Sequence, residues 1–255
     1  MARKSSPSPI IFFVAGSLLL SGGALTTSFP IFIFFGFAPL FALTDRAGDT
    51  STVWEKMEWV LLALTLYFLA IHSFDFSYLI SSMIYGIVFT LPFIAHVWVR
   101  QTLGQRAGKI TLILFWLALE YAALKISPGT TSFLADTLLL HADWTRWNIH
   151  TGYLGASLWI LIANLMVYNL FLSESRFRWY WIVLTVIFLL GPVAWSWFSD
   201  LTAITRKDLV KLYVDKLIIE DVTYLARGEL IVRTAAWIST LILLFTFVKS
   251  QTTKR

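Results

Sequence analysis

The chain of 255 residues offers little reactive chemistry, and what it has is set among apolar neighbours. Glu120, in LFWLALEYAALK, is a carboxylate in an otherwise apolar run. Such a group is either paired or protonated, or else faces a polar cavity. Lys125, five residues on, is an indifferent helical partner; Glu120 therefore reads either as an interface-level group or as a cavity carboxylate facing a polar substrate. Asn164 is an amide in the middle of a second apolar run, NIHTGYLGASLWILIANLMVY, and needs a partner on another helix or in a polar cavity.

Two further groups have acid–base potential. His72 and Asp75, in AIHSFDFS, are spaced to share a hydrogen bond across a helix end, but no serine in a defined elbow accompanies them. His141, Asp143 and His150 are types that bind zinc, but their spacing matches no strong metal signature, so interfacial hydrogen bonding is the expectation and no metal is assigned. His96 reads as a packed or helix-capping histidine. The chain has no Cys, which removes disulfides, Cys-ligated zinc, haem–thiolate chemistry and any thiol nucleophile. No P-loop, nucleotide-binding glycine fingerprint or internal repeat is present. No catalytic residue and no cofactor is assigned.

The elements that must hold these groups are membrane helices. Hydrophobic residues make up 58% of the chain and charged residues 14%, well below the quarter usual in soluble domains. Mean hydropathy is +0.73. Twelve tryptophans and nine tyrosines suit a chain with many membrane–water boundaries. The net charge of +5 is spread over loops and forms no basic face, so nucleic acid is not an expected partner.

Apolar runs at 10–25, 31–43, 57–73, 78–99, 110–124, 150–172, 179–198 and 230–248 predict an all-α polytopic membrane protein of about eight transmembrane helices in a single domain spanning 1–255. The first two are short for a full span and are expected to turn at Ser28–Pro30, and Pro92 is expected to kink the fourth. Gly152 and Gly155, beside Ala156 and Ser157, are expected to let a neighbouring backbone approach the sixth. The Phe-rich run at 29–41 reads as a lipid-facing stripe.

Arg3, Lys4, Arg46, Lys56, Arg100, Arg106, Lys109, Arg176 and Arg178 fall in the loops on the amino-terminal side, and the tail is basic too. Opposite loops are poorer, which places both termini in the cytoplasm. Segment 199–229 is a short extracytoplasmic insert before the last helix, its cations balanced by acidic residues. Thr205 followed by Asp208 could cap a helix there, with Leu209, Leu212, Tyr213 and Leu217 on one face. A solvated connector is the equal alternative.

Three stretches give the chain a wider likeness. Ser21–Phe41, SGGALTTSFPIFIFFGFAPLF, pairs a glycine/alanine helix with a Phe-Pro turn and a helix carrying Pro39-Leu40. Trp116–Tyr121, WLALEY, sets a Trp four residues before a Glu. Thr151–Asn164, TGYLGASLWILIAN, is a Gly-x-x-Gly-x-Ser entry into a helix with a downstream Asn. Thr223–Trp237 adds a fourth likeness, with Gly228-Glu229 where the family has Gly-Asp. Over most of residues 10–248 the chain resembles the membrane part of bacterial apolipoprotein N-acyltransferase.

The resemblance implies the bacterial cytoplasmic membrane, phospholipid as a partner, and contact with lipoprotein or with a separate extracytoplasmic catalytic protein. That family inserts a large nitrilase-like domain, with a Glu-Lys-Cys catalytic set, before its last span. Here only 199–229 stands in its place, and Lys211, Lys216 and Glu220 acquire no catalytic role from being in that region.

Without a thiol the covalent thioester step has no carrier. The expectation is an acyltransferase-like scaffold, inactive alone, that handles lipid or lipoprotein or docks a partner. Its outer mouth would be formed by residues 72–78, 126–150 and 199–229. Trp144, Trp147 and Tyr153 would sit at headgroup level, with Arg146 contacting a phosphate or carboxylate and His150 close by. Glu120 and Asn164 would face the interior. A lipid or small-molecule transporter is one alternative. A membrane enzyme using non-cysteine chemistry at His72/Asp75 or His141/Asp143/His150 is another.

Overall fold

The computed structural model describes residues 8–26, 30–45, 53–104, 108–127, 129–172, 179–213 and 222–252, and their secondary structure is helical. The helices are α1 (Pro9–Leu25), α2 (Ile33–Asp45), α3 (Val53–Ile71), α4 (Leu79–Leu103), α5 (Gly108–Ile126), α6 (Asn148–Thr151), α7 (Gly155–Val167), α8 (Trp179–Phe198), α9 (Arg206–Tyr213) and α10 (Val222–Thr252). A 3-10 segment, Leu134–Trp144, lies between α5 and α6, and a π-helical turn, Tyr168–Leu172, follows α7.

The expected apolar runs fall mainly on helices, the sixth divided between α6 and α7. Among the described residues four stretches are long and apolar enough to cross a membrane: Phe76–Leu103, Gly155–Leu172, Trp179–Phe198 and Glu229–Thr252. Pro9–Leu25 and Pro30–Asp45 are shorter apolar helices. Two boundaries differ from the sequence reading. The sixth run is broken, because the single turn α6 ends at Gly152, whose φ of 80° is a conformation that glycine adopts readily. Gly152 thus shapes a turn. And α10 begins at Val222, so the polar insert is shorter than 199–229. Residues 27–29 of the expected Ser28–Pro30 turn, and Lys216, Leu217 and Glu220 of the insert, lie outside the described residues.

Apolar all round, α2 and α8 read alike in sequence, since periodicity cannot tell a lipid-facing helix from a central one. The structure separates them. Eleven of the thirteen residues of α2 are buried, between α1 on one side and α7 on the other. From Ile33 onward the Phe-rich run expected to face lipid is therefore core: Phe34 meets Trp159 at 4.5 Å between ring centroids, and Phe37 meets Trp116 at 4.9 Å. In α8 only Thr185 and Ser196 are buried. Its apolar side chains point outward, among them Trp179, Ile187, Leu190 and Trp197.

Close packing of α1 on α2 depends on missing side chains. A Cβ built on Gly23 would stand 2.8 Å from the Ile33 backbone nitrogen, too close for any other residue without a backbone shift. Around this pair, α3 packs on α1 and α4, and α5 packs on α4, α7 and α10.

Ion pairs and hydrogen bonds at the helix ends show which termini share an end of the bundle. Asp45 (end of α2), Arg100 (end of α4), Lys109 (start of α5) and Tyr168 (end of α7) meet at one end. At the other end Tyr85, in α4, reaches Thr130 O at 3.2 Å, and Lys125, in the last turn of α5, pairs with Glu229 of α10 at 3.0 Å. Thus α4 and α5 run antiparallel, with the candidate site residues distributed between the middle and the second end.

Candidate functional site

At the second end, a platform is built on the 3-10 segment Leu134–Trp144. A helix start leaves backbone N–H groups without internal partners. Here three consecutive ones are met by side chains from three places. Asp136 Oδ2 accepts from Phe133 N at 2.8 Å, Glu120 Oε1 from Leu134 N at 2.7 Å, and Ser157 Oγ from Ala135 N at 3.0 Å. A carboxylate at a helix start also answers the positive pole of the backbone dipoles. Glu120 and Ser157 are both fully buried, so α5 and α7 hold the segment from below.

Segment 199–206 is fastened to this platform at three points. Asn148 forms a two-way pair with the backbone of Ile204: Nδ2 donates to its O at 2.9 Å, and Oδ1 accepts from its N at 2.7 Å. Arg146 Nη1 donates to Ser199 O at 3.0 Å, while its other nitrogens hold Asp143. Arg206 pairs with Asp136 at 3.0 Å, donates to Thr131 O at 2.5 Å, and lies 4.7 Å from the centre of the Phe133 ring.

Asp136 also accepts from the Tyr153 hydroxyl. Burial pushes the Asp136 carboxyl above the usual Asp range, and the pull of Arg206 and Tyr153 in the other direction does not cancel it. Burial and the charge of Asp136 raise the Tyr153 phenol. Immediately before Arg206, Thr205 N and Oγ1 both donate to Asp208 Oδ2 at 2.8 Å, which starts α9 as the Thr-x-x-Asp spacing suggested. Leu209 turns inward and is buried.

The residues singled out from the sequence divide into distinct fates. Glu120 and Asn164 are both 0% exposed. Glu120 therefore does not sit at the interface. Asn164 uses its whole hydrogen-bonding capacity on backbone: Oδ1 accepts from Phe37 N (2.8 Å) and Ala38 N (3.1 Å), and Nδ2 donates to Ile33 O (2.9 Å) and Ile160 O (2.8 Å). It is a clasp between α7 and α2 with nothing left for a substrate.

Trp147 and Tyr153, expected at headgroup level, are instead buried. Trp147 Nε1 donates to Trp144 O at 3.0 Å, and its ring meets Trp159 edge-on. Trp144 is half-buried and stacks on His141 at 4.5 Å.

The two histidine groups do not assemble. Asp75 Oδ1 accepts from Ser77 N at 2.9 Å, which lowers its carboxyl below the usual range, and His72 stacks on Tyr78 at 4.1 Å; His72 and Asp75 are joined through backbone, Asp75 N donating to His72 O at 3.0 Å, and the side chains are engaged elsewhere. His141 lies on Trp144, His150 faces Trp195 at 6.0 Å, and Asp143 holds Arg146. Among the described residues no cluster of three His, Cys, Asp or Glu side chains could hold a metal ion.

A small pocket at the platform is lined by Leu138, Ala142, Ala156 and Ile204, with Thr145, Asn148, Tyr153 and Thr205 as its polar groups. A second pocket at the opposite end is lined by Asp45, His96, Lys109 and Tyr168. There Arg100 donates to the Asp45 carboxylate at 2.5 Å and to its backbone O at 2.8 Å. Lys109 stands 3.5 Å from Asp45 and 4.1 Å from the Tyr168 ring centre. His96 Nδ1 meets Thr111 Oγ1 at 3.1 Å, as a packed histidine would.

Sequence reasoning missed Asp45, Asp136 and Asn148 as organising residues, and treated Arg206 only as a charge. Each meets its partner across 55 or more residues, or through backbone groups that carry no sequence signal. No protein-family model, curated protein or solved structure matches the chain.

Proposed function

We propose that this chain is an apolipoprotein N-acyltransferase-like membrane scaffold of about eight spans in the bacterial cytoplasmic membrane, with both termini cytoplasmic. Alone it carries out no acyl transfer. It handles phospholipid or lipoprotein, or seats a separate extracytoplasmic catalytic protein, at the end formed by residues 131–150 and 199–213.

One observation carries this reading: the three-point fastening of 199–206 by Asn148, Arg146 and Arg206. In the resembled family the catalytic domain leaves the membrane part at this point in the chain. Here the same point is an ordered joint with its own buried polar contacts, a surface fit to receive a partner. The lack of Cys supports inactivity in thioester chemistry.

A transporter has less support. Between the two small pockets the middle is filled by Trp116, Phe37, Phe89 and Phe93, each at most 1% exposed. A non-cysteine enzyme is likewise less supported, because the histidines of both groups are engaged in ring stacking apart from one another.

The test is reconstitution of the purified chain with a phospholipid acyl donor and a diacylated lipopeptide. The expected result is no N-acylated product, together with photocrosslinking of phospholipid at Leu140 and Trp144 above the level at Leu190 of α8. Unaided acyl transfer overturns inactivity, and crosslinking no greater than at Leu190 overturns lipid handling at this end.

A further inference from the structure

Residues 199–206 are held on the platform in the manner of a bound peptide. Ser199–Thr205 belong to no helix, and three features of the segment are read by the rest of the chain. The backbone is read at Ile204, where Asn148 donates to the carbonyl at 2.9 Å and accepts from the amide at 2.7 Å. A two-way bond of this kind recognises main chain whatever side chain it carries. The aliphatic side chain is read by the pocket that half-buried Ile204 lines together with Leu138, Leu139, Ala142 and Ala156. The cation two places on, Arg206, meets Asp136 at 3.0 Å, Thr131 O at 2.5 Å and the face of the Phe133 ring.

The walls that do the reading have support of their own. Leu134 N and Ala135 N are held by Glu120 and Ser157, and Phe133 N is held by Asp136. Asp136 is also met by the Tyr153 hydroxyl. Asn148 N donates to Thr145 O at 2.8 Å, and Asn148 O accepts from Gly152 N at 2.6 Å. None of these bonds involves residues 199–206. The pocket also stays partly open beside Ile204, so the segment does not fill the space it sits on.

We infer that residues 131–156 form a peptide-binding cleft, and that segment 199–206 occupies it in place of a segment from a partner protein. The partner presents, in non-helical chain, an aliphatic residue two positions before an arginine. Being tethered, the chain's own segment competes at high effective concentration and keeps the cleft closed until it is displaced. The cleft rests on the partner seat proposed above and gives that partner its chemistry. Peptide binding in detergent requires neither lipid handling nor acyl transfer, so the two readings fail separately.

The probe is a fluorescent peptide copying residues 199–206, Ser-Asp-Leu-Thr-Ala-Ile-Thr-Arg. The full-length double variant Ile204→Gly, Arg206→Ala loses both side-chain anchors of its own segment and keeps every wall residue. It is expected to bind the peptide at least about tenfold more tightly than the native chain does. Peptides with Asp for the Ile, or with Ala for the Arg, are expected to bind it about tenfold more weakly. If the double variant fails to fold, Arg206→Ala alone carries the comparison. No binding by the loosened chain, equal binding by the native chain, or equal binding of a scrambled peptide overturns the cleft.

Discussion

Arg206 and Asp136, seventy residues apart in the chain, are joined by an ion pair at 3.0 Å, with each side chain less than a fifth exposed. The pair fastens the start of α9 to the segment that Glu120 and Ser157 hold from inside the bundle. It links the buried middle of the protein to the surface proposed for partner or lipid contact. Removing one partner leaves the other half-desolvated without its counter-charge, which costs more than an exposed pair is worth.

Arg206→Ala is therefore expected to destabilise the protein by about 1–3 kcal/mol and to raise exchange in residues 199–213 before the rest. Tm in detergent and residue-resolved hydrogen exchange check this. Exchange spread evenly over the chain, or an unmoved Tm, would mean that the fastening contributes nothing.

Asn164→Ala removes four hydrogen bonds to backbone at the contact of α7 with α2. A loss of about 1–3 kcal/mol is expected, seen as a lower Tm. Lipid crosslinking at Leu140 should be unchanged wherever the variant is folded, because the amide faces backbone only.

Adjacent glycines in α1 give opposite outcomes. A methyl at Gly23 meets the Ile33 backbone nitrogen at 2.8 Å, while one at Gly22 meets Phe32 at an ordinary 3.7 Å. Gly23→Ala should destabilise by about 1–3 kcal/mol through overpacking against backbone. Gly22→Ala should be neutral or stabilise by about 0.5–1 kcal/mol through helix propensity. Paired Tm measurements decide, and equal effects would contradict the close approach of α1 to α2.

Asp75 gives the pH dependence its sign. Its carboxyl is lowered by the Ser77 N–H, so the ionised form is the one the fold favours. Its contribution to the turn at Phe76–Tyr78 is in place above the ordinary Asp range and is lost as pH falls through the lowered value. The protection of the Ser77 amide, its exchange relative to an unstructured amide at the same pH, should fall at that acidic pH in the native chain, while Asp75→Asn should show no such step.

How much of this was legible in the sequence depended on the range of the interaction. Apolar runs gave the helices, because backbone satisfaction in an apolar setting leaves few other choices. The need of Asn164 for a partner was readable from its depth, and the Thr205–Asp208 spacing named its own cap. The partner of Asn164 was not readable, since the backbone of Ile33, Phe37 and Ala38 has no residue-specific mark.

Depth was also misjudged where an aromatic can either pack inside or anchor at the surface. Trp147 and Tyr153 have the composition of boundary residues, yet Trp159 and Asp136 draw them inward. The joining of Asp45 to Arg100 and of Asp136 to Arg206 depends on which helix ends meet, a property of the packed bundle and of no local pattern.

In the proposed topology the platform and the Asp45–Arg100–Lys109 cluster face opposite sides of one membrane. Because the chain contains no Cys, single-cysteine variants can be labelled without background. Thr202→Cys, beside the platform, and Gly104→Cys, at the far end of α4, are both at exposed positions. With an impermeant maleimide on intact spheroplasts, Thr202→Cys is predicted to label at once and Gly104→Cys only after permeabilisation. Labelling of both from the same side, or of Thr202→Cys only after permeabilisation, would contradict it.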